Sequence, residues 1–155
     1  MSAAEEDDAV RRTVAVDAPP ERAFAVFTDL DAWWPPEFTW SQGGLEAIRI
    51  EPAEGGHCFE RGPHGFTVHW GRVLAWEPSS RIVFTWQIGP DRVPEPDTSM
   101  ASEVEVRFTP DGAGGTRVEI EHRGFARHGE AGAGYRAGME RGWDHLAERF
   151  AAALA

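Results

Sequence analysis

The stretch Tyr135–Ala155, YRAGMERGWDHLAERFAAALA, decides the fold. Apolar residues recur at Tyr135, Met139, Trp143, Leu146 with Ala147, Phe150 and Leu154. Spacings of three and four put them in one stripe of an α-helix. Arg136, Glu140, Arg141, Asp144, Glu148 and Arg149 take the opposite face, which belongs in water. At roughly 1.5 Å per residue the helix is about 30 Å long. It cannot bury its stripe alone, so the rest of the chain must supply the partner surface. Trp143 and the residues after it are expected to be core. The Tyr135–Met139 end follows the glycine-rich HGEAGAG of residues 128–134 and is where a gap should open.

Upstream, the chain reads mostly as strands separated by turns. Val10–Val16 is a short β-like run, stopped by Asp17-Ala-Pro-Pro. Pro19-Pro20-Glu21 starts a helix whose buried side is Ala23, Phe24 and Phe27. Thr28 to Asp31 looks like a break and a fresh cap, giving a second short helix through Trp33 and Trp34 that Pro35-Pro36 ends. Strands are then expected at Leu45–Ile50, His57–Arg61, Phe66–Trp76, Arg81–Ile88, Ser102–Thr109 and Thr116–His122. The last two alternate strictly, with Val104, Val106 and Phe108 against Glu103, Glu105 and Arg107, and Val118, Ile120 and His122 against Arg117, Glu119 and Glu121. Such alternation implies an antiparallel sheet with one face in water. The fold class is therefore α+β: a curved antiparallel sheet of six to seven strands wrapped around a long C-terminal α-helix, with two short helices after the first strand. The proline-bearing loop Gly89–Met100 should hang at one edge.

Composition narrows the function. A chain of 155 residues suits a single domain with a real core. Residues 1–9 are expected to be a disordered acidic tail, and residues 10–155 the domain. No run of eighteen apolar residues and no signal pattern appear, which suggests a soluble, cytoplasmic protein without membrane insertion. The formal charge of −11 argues against nucleic acid. The absence of lysine excludes Schiff-base chemistry, and the single cysteine, Cys58, excludes an internal disulfide. No pair of the six histidines has HxxxH or HxH spacing, so no metal site and no cofactor are expected. Seven tryptophans and nine phenylalanines are a heavy aromatic load for this size, and they point to a pocket as well as a core.

These residues resemble the START-like helix-grip (SRPBCC, Bet v 1-like) superfamily, which includes polyketide cyclases. The cues are closest to its Hsp90-ATPase-activator-homologue group. They are ERAFAVFTD before a WWP segment, EPAEGGHCFE, GRVLAWEPSSRIVFTW, SEVEVRFTPDGAGGTRVEIEHRGF and the closing GWDHLAERF. The resemblance spans roughly residues 10–154. It implies a cavity between sheet and long helix, often for an apolar or aromatic ligand, and it supplies no shared catalytic set.

Candidate ligand-binding residues follow from where each side chain would point. Trp33, Trp34, Phe38 and Trp40 would roof one end of the cavity, while Phe84 and Trp86 share the concave face. Tyr135, Met139 and Trp143 would face them from the helix. Cys58 and Glu60 lie on one face of His57–Arg61, inward if either is. Glu60 is otherwise a surface partner of Arg61 or Arg72. His122 shares the parity of Val118 and Ile120, so its ring looks to the cavity or ends the strand in water. Phe66–Trp76 resists orientation because Arg72 interrupts Val68, Trp70, Leu74 and Trp76; a bulge would switch its faces. The leading reading is binding of a small apolar molecule, aromatic or lipid-like, without chemistry. The alternatives are a cyclase or aromatase using His122, Glu60 or Arg72, and a protein-partner role like that of the Hsp90 activator. A homodimer is left open.

Overall fold

The computed structural model describes residues 8–155, so the part of the acidic tail in residues 1–7 lies outside the described residues. Seven strands form one antiparallel sheet: β1 (Val10–Val16), β2 (Ala47–Ile50), β3 (His57–Arg61), β4 (Thr67–Glu77), β5 (Arg81–Trp86), β6 (Ser102–Pro110) and β7 (Thr116–Arg123). Their order across the sheet is β1-β7-β6-β5-β4-β3-β2. Helix α1 (Pro20–Thr28) follows β1, and α2 (Gly132–Ala153) ends the chain. The curled sheet holds α2 against its concave face, which is the helix-grip arrangement.

The second short helix is a single 3-10 turn, not an α-helix. It spans Leu30–Ala32, and two further 3-10 turns follow at Pro36–Phe38 and Gln42–Gly44. Pro35 and Pro36 bias the residues before them away from the helical region, so the turn ends at Trp34, whose N–H donates to the Leu30 carbonyl (2.9 Å). The segment instead lays Trp33 and Trp34 into the core.

The strands β6 and β7 keep the alternation expected of them, with Val104, Val106, Phe108, Val118 and Ile120 buried. Their hairpin closes through Asp111, whose carboxylate accepts the N–H groups of Ala113 (2.7 Å) and Gly115 (3.0 Å). Gly112 and Gly114 stand at φ +87° and +90°, where a side chain would be strained. The outer face is less watery than alternation suggests. Glu105 is buried there and accepts hydrogen bonds from Arg81, Arg107 and Arg123.

Strand β4 changes parity twice. Trp70, Val73 and Trp76 are all part of the core or packed on it, at spacings of three, while Arg72 and Leu74 are exposed. Register shifts opposite Cys58/Phe59 and between Val73 and Ala75 account for both switches.

At the end of the sheet nearest α1 the core is a cluster of rings. Phe27 meets Phe150 at 5.1 Å and Trp33 at 5.2 Å, and Phe24 meets Phe108 at 5.3 Å and Trp76 at 5.1 Å. Edge-on and tilted pairs of this kind add to burial. Arg12 of the edge strand β1 ties down α2 by donating to the Asp144 carboxylate (2.6 Å) and the Glu140 carbonyl (2.8 Å).

Candidate functional site

Near the N-terminal half of α2 the packing is incomplete, and a cavity of about 210 Å³ lies between helix and sheet. The sheet contributes Ile48, Glu60, Trp70 and Trp86, and α2 contributes Tyr135, Met139, Gly142 and Leu146. Trp34, Phe38, Thr39 and Trp40 come from the 3-10 segment. Ile88, Gly89, Pro90 and Arg92 come from the loop after β5. Three indoles make the deep wall: Trp34 stacks on Trp70 with centroids 6.0 Å apart, and Trp86 meets both at 5.9 and 5.8 Å.

The loop Gly89–Met100 does not hang at an edge. It joins the two central strands β5 and β6 and folds over the cavity. Two hydrogen bonds hold it to the 3-10 segment. The Trp40 indole N–H donates to the Arg92 carbonyl (2.7 Å), and Arg92 Nη2 donates to the Phe38 carbonyl (2.9 Å). Phe38 and Arg92 thus form facing lips.

Polar groups in the lining are few and most are occupied. Glu60 is 1% exposed and pairs with neither Arg61 nor Arg72. Its carboxylate accepts the backbone N–H of Trp40 (3.2 Å), the backbone N–H of Ser41 (2.7 Å) and the Ser41 hydroxyl (2.6 Å). Glu60 therefore pins the segment that carries Phe38 and Trp40. Tyr135 accepts from Trp86 Nε1 (2.7 Å) and donates to the Ile88 carbonyl (2.7 Å), so it joins helix, strand and loop. Burial pushes the Tyr135 hydroxyl up to about 12, opposed by the Trp86 N–H and the charge of Arg92. Trp70 Nε1 is different: it is buried and has no hydrogen-bond partner.

Of the twelve candidate residues, Trp34, Phe38, Trp40, Glu60, Trp86, Tyr135 and Met139 are together in the lining. The other five lie behind it. Trp33 packs on Phe27 and Phe150 and donates to the carbonyls of Val26 and Phe27, which closes the end of α1. Phe84 backs Trp70 edge-on at 6.0 Å. Cys58 is fully buried, and burial pushes its thiol far above the ordinary range, so it is no nucleophile.

His122 and Trp143 form a sealed pair. Trp143 Nε1 donates to His122 Nδ1 (3.0 Å), and Ser102 Oγ lies 2.8 Å from His122 Nε2. An indole only donates, so Nδ1 must accept and the proton sits on Nε2, shared with Ser102. Phe125 and Trp86 cover the ring at 4.4 and 5.1 Å. Burial, with a smaller contribution from His128, holds the imidazole pKa well below its ordinary value and keeps it neutral. The inward parity of His122 is as expected, but the ring is consumed by the core before it reaches the cavity. Arg72 is on the outer face, across from His57.

The residues that sequence reasoning did not place here are mainly those of the loop, Pro90 and Arg92, with Trp70 from the unoriented strand. The length of the loop was the available signal, since long ordered loops usually carry function. Among the described residues no three or more His, Cys, Asp or Glu side chains are gathered for a metal ion. Nor is any described helix long and apolar enough to cross a membrane.

The family model for Activator of Hsp90 ATPase homolog 1-like protein matches residues 17–155. Among solved structures, an anthrahydroquino-gamma-pyrone synthase, Txn09, complexed with SUM, is 37% identical, covering 94% of this chain and 96% of that chain with a TM-score of 0.65. CalC from Micromonospora echinospora, described as a self-sacrificing resistance protein, is 28% identical over 94% of this chain and 93% of that chain, with a TM-score of 0.68. CalU16 from the same organism, at 20% identity, 95% and 76% coverage and a TM-score of 0.61, shares the fold. No curated protein matches the chain.

Proposed function

Since the chain belongs to the Activator of Hsp90 ATPase homolog 1-like family, we propose that it binds a small planar aromatic molecule between the sheet and the N-terminal half of α2. The observation that carries this reading is the wall of three mutually packed indoles, Trp34, Trp70 and Trp86, around a cavity of about 210 Å³. Flat π-surfaces reward flat ligands. The volume is below the roughly 300–1,000 Å³ of drug-sized pockets, so it suits one or two fused rings while the lips are shut. A larger ring system requires the Phe38 and Arg92 lips to part. A closed space of that size disfavours a long acyl chain.

A second reading is an enzyme acting on an aromatic polyketide-like substrate. It is favoured by the name and 37% identity of the synthase Txn09. Tyr135 and Glu60 are the groups within reach for proton chemistry, and His122 is not. The test of both is a thermal-shift screen of mono- and bicyclic aromatics, followed by product analysis of any that bind. A ligand at about a hundred times its Kd adds about 2.7 kcal/mol. A screen in which no aromatic raises the Tm overturns both readings.

A further inference from the structure

Arg92 is the only cation in the cavity lining, and its setting differs from that of most arginines here. Nine of them, Arg12, Arg81 and Arg123 among these, are engaged with carboxylates. Arg92 has no carboxylate within ion-pair distance among the described residues. Asp91, next to it in the chain, turns its carboxylate to the Val93 N–H instead (3.1 Å). Of the five N–H groups on the guanidinium, Nη2 supplies one to the Phe38 carbonyl (2.9 Å), and the others have no acceptor among the described residues. That bond holds the charge at the lip of a mostly apolar space, in which the Glu60 carboxylate is already taken up by the Trp40 and Ser41 donors.

The backbone adds a second, independent observation. Arg92 sits at φ +67°, in the left-handed region that favours glycine or asparagine. The turn around it is held by the Arg92 N–H to the Gly89 carbonyl and the Gly89 N–H to the Val93 carbonyl (2.8 Å each). Glycine would fit this turn with less strain, so arginine stands there at a local cost, and its side chain is what a glycine could not supply. The surrounding protein carries a formal charge of −11 and repels anions in general. An unpaired guanidinium at one lip reverses that locally.

We infer that the ligand is an aromatic anion, with its ring plane against the indole wall and a carboxylate or comparably acidic oxygen at the lip on Arg92. This rests on the proposed aromatic-binding role of the cavity and names the class of molecule it selects. Recognition combines a flat apolar body with charge-assisted hydrogen bonds from the free side of the guanidinium.

The experiment compares 2-naphthoate with its neutral isostere 2-naphthamide by isothermal titration calorimetry at low salt, on the full chain and on Arg92→Met. Methionine keeps the apolar stem of the side chain without the guanidinium, and thermal unfolding checks that the variant is folded. In the parent, naphthoate binds at least about tenfold tighter than naphthamide, the difference expected of one charge-assisted hydrogen bond. In Arg92→Met that ratio falls to about one, whatever common change the lost Phe38 contact makes to both affinities. Equal binding of the two probes by the parent overturns the inference while leaving the aromatic site standing, as does a preference that survives in Arg92→Met. Failure of both probes to bind overturns the aromatic site and the inference with it.

Discussion

From Trp143 to Phe150, α2 is pressed against rings from α1, the 3-10 segment and the sheet, and Trp143, Leu146 and Phe150 are all at most 1% exposed. From Gly132 to Gly142 the same helix carries glycine at 134, 138 and 142, and its apolar residues Tyr135 and Met139 border the cavity. Each glycine weakens a helix by about 1 kcal/mol relative to alanine. The N-terminal half therefore relies on its anchors. These are the Tyr135 hydroxyl on the Ile88 carbonyl and the Arg136 guanidinium on the Asp8 and Ala9 carbonyls. One half is closely packed, and the other borders the cavity.

The strongest way to break this division is Phe150→Ala. Phe150 is fully buried against Phe27 and Trp33, so the change should cost about 3–5 kcal/mol by chemical denaturation. A loss below about 1 kcal/mol would mean the C-terminal half is not the structural anchor.

The second test uses acid. His122, at the boundary of the two halves, is neutral in the fold because its pKa is held well below 6.5. The unfolded chain takes up that proton near pH 6.5 while the fold does not. The contribution is therefore fully present above pH 6.5 and is lost as pH falls below it, by up to about 1.4 kcal/mol per pH unit. His128, also held low by burial, acts in the same direction. His122→Gln keeps an acceptor for Trp143 and a donor for Ser102 but does not titrate. Denaturation series at pH 7, 6 and 5 should show a shallower slope in the variant; parallel slopes would mean that the ring is not sealed.

Gly142→Leu sharpens the comparison from the other side. A Cβ at Gly142 would meet only the tip of Met139, at 3.6 Å and beyond, so the fold should tolerate the change within about 1 kcal/mol. The longer side chain would fill the cavity, and 2-naphthamide binding by calorimetry should weaken at least about tenfold. Unchanged binding would move the site away from α2. The smallest effect is expected at Gly138, where nothing lies within 4 Å of an added Cβ. Gly138→Ala should raise stability by about 0.5–1 kcal/mol through helix propensity alone, read as a higher Tm.

Much of the fold was legible because it depends on periodicity. The α2 stripe and the alternation of β6 and β7 are local patterns, and burial enforces both. The second short helix was legible from the break at residues 28–31, but not its shortness: Pro35 and Pro36 stop it after one turn. Strand β4 was unreadable by parity because its two register shifts are set by its partners β3 and β5.

The amino-acid sequence alone determined that a long amphipathic helix must be gripped by a curled antiparallel sheet, and that aromatic residues crowd between them. Spacing dictates which face of an element is apolar, and an apolar face must be buried. Only the tertiary structure decided which inward residues border the cavity and which meet each other. His122 and Trp86 both point inward, yet Trp143 and Phe125 close over the histidine while Trp86 reaches the cavity. Arg92 carries no periodic signal and enters the lining because a turn at positive φ folds its loop back onto Phe38 and Trp40. Whether a side chain borders a gap depends on how well its neighbours, distant in the chain, fill the space around it, and no local pattern encodes that.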